Sequence, residues 1–235
     1  MKRFLPFIII VVVLVAVIAI FAFAFRRGNG DNVTGIPNSN QTSTAGNTAV
    51  PNQSAPDTPG LTKPNVKVSS PVVLEEYGDY QCPPCGQLYP ELKQIEQEYG
   101  NQVQIVFRHF PLTKIHKNAL VAAHAAEAAR NQKKFWEMHD RLYRNQKEWA
   151  ELDDPRPTLI SYARQLNLNV EQFTGDMASN QVDQRISADI QRGTSLGVTG
   201  TPTVFLDGHM LRYEATNADG LRRGINVLLE RKATS

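Results

Sequence analysis

The sequence predicts an α/β domain with an inserted helical subdomain, preceded by an N-terminal transmembrane helix. Three observations carry this. An apolar run extends from Phe4 to Phe25, interrupted by no charge. A strand–helix–strand pattern runs from Val72 to Phe107, with both cysteines of the chain, Cys82 and Cys85, opening its helix. A strand–strand–helix pattern closes the chain after a long, alanine-rich helical stretch.

The apolar run comes first. About 22 helical residues at 1.5 Å each give roughly 33 Å, enough to cross a hydrocarbon core of about 30 Å. Ala22 and Ala24 offer the small-x-small pattern of a cleaved signal peptide. The apolar region of such a peptide runs only about 7–15 residues, so the length favours an uncleaved anchor over residues 1–27. Lys2, Arg3 and the amino terminus at one end, against Arg26 and Arg27 at the other, slightly favour the N-terminus inside. The rest of the chain is then expected on the extracytoplasmic side of a cell membrane. Residues 28–65 are Asn, Ser, Thr, Gly and Pro with almost no large apolar residue. Such a segment buries too little surface to offset its ordering entropy, and reads as a tether with a reach of roughly 35 Å. Its three glycosylation sequons, at Asn32, Asn40 and Asn52, are what so Asn- and Thr-rich a stretch yields by chance.

The anchor's flanks also explain the formal charge of +2. With Lys2, Arg3, Arg26 and Arg27 set aside, 21 basic residues stand against 23 acidic ones, and the remainder is net −2. Neither this balance nor any Lys/Arg run supports nucleic-acid binding.

Residues 66–235 hold the folded domain. Val66–Ser69 and Val72–Tyr77 are β-branched and apolar, and read as strands. The unbroken Val72, Val73, Leu74 suggests burial on both faces, as in a central parallel strand. A helix follows from the cysteines through Leu88, Leu92, Ile95 and Tyr99, ended by Gly100-Asn101. Gln102–Phe107 alternates as a strand. Helices are expected over Asn118–Arg130, Lys133–Tyr143, Thr158–Leu166 and Ser179–Arg192, which together make an insertion over about 115–195. Thr203–Leu206 and Met210–Glu214 read as a hairpin turning at Asp207-Gly208, and Asn217–Lys232 as a closing helix.

Two cysteines exclude a four-cysteine zinc site within this chain, and the five histidines form no close ligand pair. Gly86 after Cys85 breaks the haem-attachment pattern. No metal and no cofactor is expected. A two-residue spacing that follows a strand and opens a helix is instead a strong signal for thiol–disulfide exchange. The free N–H groups and dipole of a helix N-terminus stabilise a thiolate at the first cysteine. Cys82 is therefore expected to be the exposed nucleophilic sulfur and Cys85, one turn in, the buried resolving partner. Pro83 suits the first helical turn. Pro84 removes a second N–H, so thiolate stabilisation weaker than with a polar or cationic residue there is expected. A purely structural crosslink is disfavoured, because so small a loop constrains the unfolded chain little.

The stretches VVLEEYGDYQCPPCGQLYPEL, VQIVFRHFPL, ALVAAHAAEAARNQKKFWEMHDRLY and GVTGTPTVFLDG resemble the DsbA-like branch of the thioredoxin superfamily, in particular its membrane-tethered, BdbD-like bacterial members. The resemblance spans about Val66 to the C-terminus. It implies a thioredoxin fold with a helical insertion, a cis peptide at Thr201-Pro202, and a substrate site at Thr201 and Pro202 beside the cysteines. It also implies a buried acid beneath the cysteines that relays a proton to or from Cys85. Glu76, six residues before Cys82, has the right offset, while Glu75 adjoins it on the opposite face, so register decides which is buried. His109 and Pro111 are family-like without an assigned role, and His124 and His139 read as packing or surface residues.

The expected function is that of an extracytoplasmic thiol–disulfide oxidoreductase, oxidising cysteine pairs of secreted or envelope proteins through Cys82 and Cys85. By resemblance, a DsbB-like or vitamin K epoxide reductase-like membrane protein would reoxidise it. A reductase or isomerase uses the same cysteines in the other direction. A tethered chaperone or binding module, or metal carriage by the two thiols, would use the site without turnover.

Overall fold

The computed structural model of the chain describes residues 61–62 and 72–234. The expected anchor at 1–27, nearly all of the expected tether at 28–65, and the strand Val66–Ser69 lie outside the described residues. The described residues all fall within the compact unit Asn52–Ser235. Among them, no helix is long and apolar enough to cross a membrane.

The strands are β1 (Leu61–Thr62), β2 (Val72–Gly78), β3 (Val103–His109), β4 (Thr203–Leu206) and β5 (His209–Met210). The helices are α1 (Pro83–Tyr99), α2 (Ala119–Asn131), α3 (Phe135–Arg144), the single turn α4 (Gln146–Trp149), α5 (Arg156–Gln165), α6 (Val170–Met177), α7 (Asn180–Ser195) and α8 (Ala218–Ala233). The sheet order is β1-β3-β2-β4-β5. β2 and β3 are parallel, joined by α1 as the crossover, and the remaining pairings are antiparallel.

Sequence chemistry explains the centre of this arrangement. β2 pairs on both sides, with β3 and with β4, and of its apolar run Val72 and Leu74 are buried on one face while Val73 on the other is half-buried. Leu88, Leu92, Ile95 and Tyr99 on one stripe of α1 pack with Val72, Leu74, Ile105, Val204, Leu221 and Ile225, forming the core on one face of the sheet. Burying each such aliphatic side chain stabilises the fold by about 1.5–3 kcal/mol relative to leaving it in water. Gly100, at φ +52°, ends α1 in a conformation that glycine adopts without steric cost. Pro90 lies within α1, where its ring nitrogen cannot donate to the preceding turn.

The insertion packs a second core. Ala122, Ala125, Ala126 and Ala129 of α2 are fully buried against Met138 and Leu142 of α3, Leu159 of α5 and Phe173 of α6. The small side chains of α2 let its neighbours approach closely, which is why it is alanine-dense. Tyr80, Cys82, Cys85, Tyr89 and Phe107 belong to the same cluster, so the cysteines sit where the insertion meets the sheet.

The structure departs from the sequence reading in several places, the single turn α4 among them. Leu61–Thr62, inside the segment expected to be a tether, pair with Phe107 and Val106, and Leu61 packs on the insertion's core. One apolar side chain and an open edge of β3 were enough to recruit them. The second hairpin strand stops at Met210 rather than Glu214, because Tyr213–Ala215 tighten into a 3-10 turn closed by the Ala215 N–H on the Arg212 carbonyl (2.9 Å). α6 was not expected at all, since in its eight residues only Phe173 is buried.

Candidate active site

Gly78 ends β2 beneath the insertion, and an added Cβ there would meet the Phe107 ring at 2.5 Å and the Tyr143 hydroxyl at 2.8 Å. The chain then turns through Asp79-Tyr80-Gln81 into α1. The Asp79 carboxylate, itself buried, accepts hydrogen bonds from the N–H groups of Gln81 (2.7 Å) and Leu112 (2.9 Å), and pairs with the His116 ring at 2.7 Å. The Gln81 side chain donates to the Ala150 carbonyl (2.7 Å) and accepts from the Asn118 N–H (2.7 Å). The turn is thus stitched to the β3–α2 connection and to the insertion before the first cysteine is reached.

Cys82 is the N-cap residue, at φ −66° and ψ 120°, and Pro83 and Pro84 occupy the first turn without N–H groups. The Cys82 carbonyl accepts the first helical hydrogen bond from Gly86 (3.1 Å). Gln146, reaching over from α4, donates to the carbonyls of both Tyr80 (2.7 Å) and Cys82 (2.9 Å). It lies so close to Gly86 that a Cβ on that residue would meet its side-chain oxygen at 2.6 Å.

Both cysteines are free thiols in this structure. The expectation of an exposed Cys82 is corrected: the residue is 4 % accessible, against 0 % for Cys85. The loop at Thr201-Pro202 covers it, with the Cys82 thiol donating to the Thr201 carbonyl at 3.3 Å. That peptide bond is cis, as expected. The accessibility order of the two sulfurs is still the one that exchange chemistry requires.

The electrostatics separate the thiols. Hydrogen bonding from Cys85 lowers the Cys82 thiol to about 6 against the opposition of burial, with Thr201 and the Cys85 N–H adding to the effect. The donors that Pro84 cannot supply are thus replaced by Cys85 itself. Burial, the hydrogen bond to Cys82 and the nearby Glu76 push the Cys85 thiol well up. One sulfur is poised as a thiolate and its neighbour holds a proton.

Glu76 lies beneath the pair, 2 % accessible, with Oε1 lacking any hydrogen-bond partner. Burial, then the charge of Cys82, raises its carboxyl to about 8. The question of which glutamate is buried has an answer the alternation rule did not offer: both are. Glu75, on the opposite face, is 8 % accessible and accepts from Arg108 Nε at 2.6 Å, with Arg192 Nε at 3.4 Å. Arg108 is held in turn by Asp189 at 3.0 Å. A guanidinium neutralises one acid, and among the described residues no cation pairs with the other. Glu76, raised to about 8, is placed to exchange a proton near neutral pH.

The structure brings Cys82, Pro83, Pro84, Cys85, Glu76, Thr201 and Pro202 to one site. His109 is buried against Glu127 at 3.2 Å, and His139 packs among Phe107, Trp136 and Tyr143 with ring centroids 4.9–5.1 Å apart. His124 pairs with Asp183 at 2.8 Å. Among the described residues no group of three or more His, Cys, Asp or Glu gathers as metal ligands would. Asp79 and Gln146 were missed. The pattern Asp79-x-Gln81 before the cysteines carries the signature of a side chain bonding the N–H two residues on. Gln146 has no local signal, since it lies 64 residues from the carbonyl it holds.

A family profile described as thioredoxin matches residues 67–226. The chain belongs to the thioredoxin family. Among solved structures it is similar to BdbD from Bacillus subtilis, with a TM-score of 0.62 and 19% identity over 70% of this chain and 91% of that one. It is also similar to a thioredoxin-like oxidoreductase from Silicibacter pomeroyi (TM-score 0.60, 22% identity, 74% and 94% covered). A third is the thiol-disulfide exchange protein alpha-DsbA2 from Wolbachia pipientis (0.60, 20%, 73% and 88%). At these identities the likeness establishes a shared thioredoxin fold with its helical insertion. Curated relatives include a Na(+)/H(+) antiporter NhaA 1 from Salinispora arenicola, 41% identical over 139 residues. A protein of the same name from Mycolicibacterium vanbaalenii is 34% identical over 146. The chain spans about a fifth of the length of these relatives.

Proposed function

We propose that this thioredoxin-family chain is an extracytoplasmic thiol–disulfide oxidoreductase that oxidises cysteine pairs of secreted or envelope proteins. The observation that carries the reading is the placement of the thiols: Cys82 caps α1 against the Thr201 carbonyl and Cys85 is buried one helical turn in, an arrangement that shifts Cys82 down to about 6 and Cys85 up. A stabilised Cys82 thiolate favours the reduced enzyme, and hence transfer of the disulfide to substrate.

The steps follow from the positions. In the disulfide form, a substrate thiolate attacks Cys82 Sγ, the bond to Cys85 breaks, and the Cys85 sulfur leaves with the electron pair. Glu76, carrying a proton near neutral pH, is placed to protonate it. A second substrate thiolate then attacks the substrate sulfur of the mixed disulfide, and Cys82 leaves as the stabilised thiolate. The substrate dithiol has lost two electrons, which the enzyme holds as the Cys82 thiolate and the Cys85 thiol, and two protons, of which one restores Glu76 and the other passes to solvent. A quinone-linked membrane protein, DsbB-like or vitamin K epoxide reductase-like, would reoxidise the pair. An anchor at residues 1–27 and a tether at 28–65 would keep the domain within its reach. The curated relatives carry the matched segment on chains about five times as long that are named Na(+)/H(+) antiporters, which supports a domain working at a membrane.

Cys82→Ser tests the reading: dithiol-oxidation activity is expected to vanish. Full activity in that variant would favour a chaperone or binding module instead.

A further inference from the structure

A groove of about 450 Å³ runs from the Thr201-Pro202 loop across the β4–β5 hairpin. Its apolar part is exposed, with Met210 45% and Tyr213 64% accessible. Threonines and backbone line most of the remainder, and Arg212 is the single charged residue in the lining. Arg185, Arg192 and Arg222 each hold a carboxylate. Arg212, among the described residues, holds none.

Register places Arg212 relative to the sulfur. Phe205 pairs with Met210, and the Leu211 N–H donates to the Val204 carbonyl at 2.8 Å, so Arg212 lies level with Thr203. Thr203 is two residues past Thr201, whose carbonyl receives the Cys82 thiol. Thr201 and Pro202 form a bend with a cis bond before the strand begins at Thr203, so the separation is less than the roughly 7 Å of two extended residues, and the Arg212 side chain and a bound peptide's own side chain together bridge it. A segment whose cysteine engages Cys82 while its chain follows the groove would bring a neighbouring side chain to the guanidinium.

We propose that Arg212 selects protein segments carrying Asp or Glu within two or three positions of the reacting cysteine, on the side that follows the groove. This rests on the exchange reading of Cys82 and adds to it a substrate class. The unpaired guanidinium attracts a carboxylate and repels Lys or Arg, at an exposed site where salt screens both effects.

The test compares two dithiol peptides, identical except for Asp or Lys two residues from one cysteine, as reductants of the oxidised full-length protein. Each exchange converts peptide dithiol to disulfide and the Cys82–Cys85 disulfide to dithiol. The Asp peptide is expected to react about three- to fivefold faster at low salt, with the ratio shrinking as salt rises. In Arg212→Gln the ratio should approach unity, and in Arg212→Glu it should invert. The peptide charge also changes its own thiol reactivity, so the shift in ratio between wild type and variants is the quantity read. Exchange by both peptides at one unchanged ratio in all three proteins overturns the proposal alone. Absence of Cys82-dependent exchange with either peptide overturns the reading of the site and the proposal together.

Discussion

Replacing Glu76 with Gln puts the buried acid to a quantitative test. Its carboxyl is raised from 4.5 to about 8, by burial first and by the Cys82 charge second. Below about pH 4.5 the carboxyl is protonated whether the chain is folded or not, and it costs nothing electrostatically. Between 4.5 and 8 the unfolded chain releases the proton while the folded one keeps it. Stability therefore falls as pH rises through this window, by about 1.4 kcal/mol per unit, and levels off above 8. The accumulated cost is about 3 kcal/mol at pH 7 and about 5 above pH 8. An amide in the same place does not titrate, but it brings its own unpartnered polar atoms, worth about 1–3 kcal/mol at every pH. Glu76→Gln is thus expected to be less stable than the wild type near pH 4 and more stable near pH 8. Denaturant unfolding of the reduced protein at several pH values measures the difference. Two stability curves running parallel across that range would refute a buried, unneutralised carboxyl beneath the cysteines. In the disulfide form the thiolate charge is gone, so the fall in stability should level off at a lower pH while burial alone still holds the carboxyl up.

Other consequences are as direct. The Cys82 thiolate should appear with a midpoint near pH 6, followed by ultraviolet absorbance or alkylation rate, and Cys85→Ala should shift the midpoint upward because the side-chain donor is removed. A Cys82 that alkylates only in the ordinary thiol range would contradict the assigned hydrogen bonding. Gln146→Ala removes donors to the Tyr80 and Cys82 carbonyls. It should lower stability by about 1–2 kcal/mol and alter Cys82 reactivity as the turn loosens; an unchanged melting temperature together with unchanged reactivity would show that the clamp does nothing.

Much of this site was legible in the sequence because its signals are local. The apolar run Val72–Leu74, the helical stripe Leu88–Tyr99 and the cysteines between them fixed a strand, a helix and the N-terminus where a thiolate is stabilised. Resemblance supplied the cis bond at Thr201-Pro202, which composition and spacing do not reveal. What stayed hidden was set by tertiary pairing. Alternation along β2 predicts that one of Glu75 and Glu76 faces water, and it fails because Arg108 of β3 and Arg192 of α7 converge on Glu75, with Asp189 of α7 holding Arg108. Cys82 was expected to be exposed because a helix N-terminus usually is, yet Thr201 covers it from 119 residues away. Leu61–Thr62 looked like tether because a two-residue strand has no periodicity to read.

The reduction potential of the Cys82–Cys85 pair, set by equilibration against glutathione, bears most directly on the proposed oxidase. A thiolate lowered to about 6 favours the reduced form, and a potential at or above that of protein disulfide isomerase, about −180 mV, is expected. A value near thioredoxin's, about −270 mV, would contradict oxidation of substrates and assign the same cysteines to reduction.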